Sequence, residues 1–92
     1  MVAYEKLIVP LSSGKLMSKE DIETYFRENN DDQMIKTMYR LSANLYMLKR
    51  FRGAVIKTKK DGRKVVGYQL VNHNDYDPAG EWLKKYINKD NY

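Results

Sequence analysis

Apolar residues fall at helical intervals through the first half of the chain, and after residue 53 they follow a strand-like pattern. Tyr4, Leu7, Ile8 and Leu11 recur at i, i+3, i+4 and i+7, which predicts a short first helix. Pro10 lacks an N–H and crowds the preceding turn, so this helix is expected to end or kink near Val9. Alternation of Leu7, Val9 and Leu11 leaves a strand as the other reading. The stretch SSGK, residues 12–15, reads as a turn. A second helix is expected from Ser18 as N-cap, with Asp21 in the capping-box position and Met17 placed to staple onto Ile22. Ile22, Tyr25 and Phe26 form its apolar stripe. The polar run ENNDD, residues 28–32, ends it and offers Asp31 or Asp32 as the next cap.

A long third helix is predicted from about Gln33 to Phe51. Met34, Met38, Leu41, Leu45 and Leu48 fall within a sector about 80° wide, a single core-facing seam. Their average spacing also suits a coiled coil, but fewer than three heptads are present. Gly53 should stop the helix. Two strands, about Val55–Lys59 and Lys64–Val71, then flank Asp61-Gly62, a pair that suits a type I′ hairpin turn. Residues 72–77, NHNDYD, read as a loop, and Asp77-Pro78 as the cap and first position of a short C-terminal helix. The expected fold class is α+β: three helices, a hairpin and a short last helix. Residues 1–72 make the main domain, and residues 73–92 a loop and helix that pack on it or mediate dimerisation.

Charge sharpens this outline. The segments 1–30, 31–71 and 72–92 carry net charges of −1, +7 and −1, so the basicity is concentrated in the middle. A field focused on one face is what an anionic partner selects. There is no cysteine, hence no disulfide framework, thiolate nucleophile or thiolate metal site, and a reducing compartment fits. The longest apolar run, Leu7–Leu11, is too short to span a bilayer, and no signal-peptide pattern opens the chain. A soluble cytoplasmic protein with no membrane partner is expected. Asp31 and Asp32 lack the alternating ligands and closing glutamate of a calcium loop. His73, the lone histidine, reads as a polar loop residue. No phosphate-binding glycine loop, nucleophile elbow or metalloprotease motif is present, so neither an enzyme nor a cofactor is expected.

Residues 14–71 resemble the winged helix-turn-helix DNA-binding domains of bacterial response regulators. The resemblance rests on LYMLKR at 45–50, similar to their recognition-helix end, and on IKT at 56–58 with GYQL at 67–70, similar to their wing strands. It covers about three-fifths of the chain. It implies a third helix in the major groove and a wing on phosphates or the adjacent minor groove. The chain departs from that pattern in having no receiver domain, no N-terminal four-stranded sheet and an added C-terminal helix. In size and composition it also resembles the small regulators of phages and mobile elements, which implies a bacterial cell or a phage-infected host.

Opposite the apolar seam, the third helix is expected to present Lys36, Tyr39, Arg40, Ala43, Met47 and Arg50, with Asn44 and Tyr46 flanking. No carboxylate occurs between Asp32 and Asp61, whereas a merely solvated helix pairs acids with bases at i, i+4. Arginine can bond guanine bidentately, asparagine suits adenine, and alanine permits close approach. Lys57, Lys59, Lys60, Arg63 and Lys64 around the hairpin turn are expected to meet phosphates. Blocking edge-strand aggregation accounts for one or two of them. Trp82, Leu83, Tyr86 and Ile87 are expected to close the core or to pair with a second copy. The leading expectation is a double-stranded DNA-binding transcriptional regulator. The alternative is a protein-binding module on the same fold, holding an acidic partner through Tyr39, Tyr46 and Met47.

Overall fold

Tyr4, Leu7, Ile8 and Leu11 do lie on one helical segment, and it runs past Pro10. In the computed structural model, which describes residues 3–76, a 3-10 helix over Ala3–Leu7 passes directly into α1 (Ile8–Leu11). Pro10 falls in the first turn of α1, where an α-helix has no use for the missing N–H, so the chain stays helical to Leu11. Ser12 Oγ then donates to the Val9 carbonyl at 2.7 Å and Gly14 N to Leu11 at 3.1 Å. Leu7, Ile8 and Leu11 are buried, each stabilising the fold by about 1.5–3 kcal/mol.

Gly14 turns the chain at φ +76°, and its Cα faces the His73 ring so closely that an added Cβ would lie 2.6 Å from it. Gly62 has a similar φ of +64° and open space around it. Gly62→Ala is therefore expected to cost about 1–2 kcal/mol from left-handed backbone alone. Gly14→Ala should cost more, because the imidazole must also move. Urea midpoints of the two variants measure that difference; equal losses would refute the packing of His73 on this turn.

The capping box opens α2 (Lys19–Glu28) as expected, with Asp21 N donating to Ser18 Oγ and Ser18 N to Asp21 Oδ2, both at 3.0 Å. Met17 packs against the core as a staple should. It also exchanges two backbone hydrogen bonds of 2.8 Å with Tyr68, adding a one-residue bridge to the sheet. Asp31, rather than Asp32, caps α3 (Asp32–Lys36): its Oδ1 accepts from Met34 N at 3.2 Å while Oδ2 holds Lys6 at 3.2 Å.

The long third helix is in fact two. After α3 comes a 3-10 turn over Met38–Arg40, and only then α4 (Leu41–Arg52). Thr37 marks the break. Its N–H contacts the Gln33 and Met34 carbonyls, and its Oγ1 donates to Met34 O at 3.0 Å, competing for the acceptor that Met38 N would use in a continuous helix. The break keeps Met34, Met38 and Leu41 buried together, so the seam survives although the helix does not. Gly53 ends α4 at φ +68°, as expected, and Ala54 N donates back to Leu48 O at 3.2 Å.

β1 (Ile56–Asp61) and β2 (Lys64–Leu70) form an antiparallel hairpin. Asp61 pairs with Lys64, so the turn residues are Gly62 and Arg63 rather than Asp61 and Gly62. Positive φ occurs at Gly62 alone, the pattern of a type II′ turn instead of I′. Lys59 pairs with Gly67 and Lys60 with Val65, which leaves Val66 as a bulge.

Two clasps bind the helices to the hairpin and to the chain after it. Asn72 Oδ1 accepts from Val55 N at 2.9 Å, while its Nδ2 donates to Gly53 O at 3.1 Å and Asp75 Oδ2 at 3.2 Å. Asn72→Ala would hand these groups to water and is expected to lower stability by about 0.5–1.5 kcal/mol, measured by urea unfolding. The Tyr76 hydroxyl donates to the Arg52 carbonyl, and its ring completes the core. The expected C-terminal helix, with Trp82, Leu83, Tyr86 and Ile87, lies outside the described residues.

Candidate functional site

A crevice of about 180 Å³ separates α4 from the hairpin. Ser42, Leu45, Tyr46 and Lys49 form its helix wall; Ile56, Thr58, Val65 and Tyr68 form its sheet wall. The periodicities of both elements explain the choice. At 100° per residue, Ser42, Leu45, Tyr46 and Lys49 share one side of α4. In the hairpin, Ile56 and Thr58 point to one face together with their cross-strand partners Leu70 and Tyr68. The bulge at Val66 restores Val65 to that face, opposite Lys60.

This arrangement divides the expected site residues. Ala43, Tyr46 and Arg50 fall within about 60° on the outer side of α4, and all three are exposed. Met47 sits beside them, half-buried. Lys60 lies on the helix-facing side of the hairpin, and Arg63 and Lys64 lie at its tip. Lys57 and Lys59 alternate onto the opposite face, where with Leu16 and Gln69, and with Thr58 and Lys60 at the strand edge, they border a separate groove. The five hairpin cations thus do not form one surface.

Three further residues leave the expected helix face because that helix is broken. Lys36 ends α3, while Tyr39 and Arg40 occupy the 3-10 turn before α4. They are exposed, with the Arg40 guanidinium 5.4 Å from the Tyr39 ring centroid. Asn44 is a plain correction: at 7% exposure it is buried with Leu41, Leu45 and Leu48, and it cannot reach a base edge. The sector of α4 covered by neighbouring elements is wider than the leucine seam. Sequence reasoning missed Ser42, Lys49, Thr58 and Tyr68. The cation at Lys49 was visible, but its direction depends on which side of α4 the hairpin folds back.

The electrostatics favour anions at this end of the molecule. The ion pairs among the described residues are Lys6–Asp31, Arg27–Glu23 and Arg52–Glu5. Lys49, Arg50, Lys60, Arg63 and Lys64 take part in none of them. Among the described residues no carboxylate lines the crevice, whereas the groove beside α1 and α2 includes Asp21 and Glu28, and the one at the start of α2 includes Glu20 and Asp61. Lys49, Arg50 and Arg52 also sit in the last turn of α4, where positive side chains oppose the partial negative charge of the helix end.

Among the described residues, no cluster of three or more His, Asp or Glu could hold a metal ion, and no helix is long and apolar enough to cross a membrane. No protein-family model, curated protein or solved structure matches the chain.

Proposed function

We propose that the protein is a double-stranded DNA-binding regulator of winged helix-turn-helix type, with α4 entering the major groove and the hairpin acting as its wing. One observation carries this reading: α4 and the cationic hairpin are the two walls of a single crevice with no acid among its described lining residues, so both can address one duplex. Arg50, Tyr46 and Ala43 take the base-edge positions, since they project furthest from the buried face of α4. Lys49, Lys60, Arg63 and Lys64 take phosphates, which hold and orient the duplex without reading it. Arg40, stacked on Tyr39, flanks the start of α4 and suits a neighbouring phosphate.

Selection from random duplexes, followed by binding titrations, tests the proposal. Arg50→Ala is expected to cost about 1–3 kcal/mol on the selected site and to relax preference at one position. Lys60→Ala should weaken every sequence alike. Failure to enrich any sequence, together with equal losses from both variants on all duplexes, would overturn base reading by α4.

The exposure of Tyr39 (74%) and Tyr46 (61%) supports a second reading, in which an acidic protein docks on these aromatics. Under that reading, one stoichiometric partner survives nuclease treatment of an extract and is lost with Tyr39→Ala, while duplex binding is absent.

A further inference from the structure

We infer that the crevice between α4 and the hairpin is a seat for one backbone phosphate, held by Lys49 and by the hydroxyls of Ser42 and Thr58. This rests on the duplex-binding reading above and names the contact that would set its register. Three features of the crevice point to a phosphodiester. First, among the described residues its polar lining consists of one cation and four hydroxyl-bearing residues, Ser42, Tyr46, Thr58 and Tyr68, with no acid to repel an anion. Hydroxyls donate to non-bridging oxygens, and a single ammonium matches a single negative charge. Second, at about 180 Å³ it is much smaller than three other grooves of the described residues, which measure about 450 to 510 Å³. Its dimensions suit a phosphate with part of a sugar, not a peptide strand or a whole nucleotide pair.

Third, Leu45, Ile56 and Val65 make up the rest of the lining, so the polar groups face apolar surface rather than competing acceptors. The donors stand on a helix and on a paired strand, elements that keep them in place before any ligand arrives. The groove across the hairpin, lined by Lys57, Lys59 and Lys60 with Thr58, also has no acid among its described lining residues, yet it involves no residue of α4 and so cannot fix how that helix meets the duplex. A phosphate seated at Lys49 places the strand between helix and wing, and this placement decides which base pairs Arg50 and Tyr46 can reach.

Two measurements on the full chain test the seat. In the first, inorganic phosphate is titrated while backbone amide resonances are followed. Saturable shifts are expected at Ser42, Lys49 and Thr58, absent in Lys49→Gln, restored in Lys49→Arg and retained in Lys57→Gln. In the second, duplex affinity is measured against salt. Lys49→Gln should lower the log–log slope by about 0.9, one phosphate's worth. Ser42→Ala and Thr58→Val should each weaken binding about tenfold with the slope unchanged. Strong duplex binding with neither the slope nor the phosphate shifts altered by Lys49→Gln would overturn the seat and leave the duplex reading standing. Lys49-dependent phosphate shifts without duplex binding would keep the anion seat and end the duplex reading. Absence of both would refute the two together.

Discussion

Glu5→Ala is expected to lower the folding stability by about 3–5 kcal/mol, seen as a fall in urea midpoint with little change in the slope of the transition. Glu5 is 4% exposed, and its Oε1 accepts from Arg52 Nε at 3.0 Å and from a terminal guanidinium nitrogen at 2.8 Å. The pair joins the first helical segment to the last residue of α4. The Arg52 guanidinium also lies 5.8 Å from the Tyr4 ring centroid, and Tyr4 in turn approaches Phe51 at 6.4 Å. Removing the carboxylate takes the largely buried Arg52 guanidinium's counter-charge away from beside the Tyr4 ring. Against a total of about 5–15 kcal/mol for a domain, that loss is large enough to unfold much of the population at moderate temperature. Replacing both partners, as in Glu5→Leu with Arg52→Met, should recover most of it, because a buried ion pair and its apolar isostere are often nearly equal in stability. A single-variant loss below about 1 kcal/mol, the range of an exposed pair, would show that water reaches the site.

Duplex affinity should fall about 500-fold when salt rises from 50 to 200 mM. Five cations, Arg40, Lys49, Lys60, Arg63 and Lys64, are assigned to phosphates under the proposed function and take part in none of the ion pairs among the described residues. Each phosphate neutralised contributes about 0.9 to the log–log slope, giving a slope near −4.5. Arg52 is excluded because Glu5 holds it. Lys57 and Lys59 are excluded because they face away from α4. Filter binding or fluorescence anisotropy at four or five salt concentrations measures the slope. A value near −6.3 would bring those two lysines back onto the same duplex, and a value near zero would remove the polyanion altogether.

Much of the local structure was legible in the residues. Ser18 with Asp21 announced α2, because the two side chains satisfy the end of that helix by themselves. Gly53 announced the end of α4, because a left-handed position favours glycine. What stayed hidden depends on residues far apart in the chain. The Met17–Tyr68 bridge joins one residue to a strand 51 positions later, and one residue carries no strand periodicity. The break at Thr37 was silent because threonine is weak punctuation and because two short helices bury Met34, Met38 and Leu41 as well as one long helix would. Asn44 looked like a surface residue because its burial is set by neighbours. The sides taken by the hairpin lysines were legible only once Gly62 and Arg63 were known to be the turn and Val66 the bulge.

Asn72 has one more effect. Its amide reaches back 19 positions to the last bend of α4 and 17 positions to the start of the ribbon. The corner between them is braced from outside, like a shelf bracket, which restrains independent movement of the two arms. Under the proposed duplex reading, an opening set while the chain folds leaves little ordering to oppose association. Loosening that brace should broaden the range of backbone spacings the jaws accept, at the expense of selectivity.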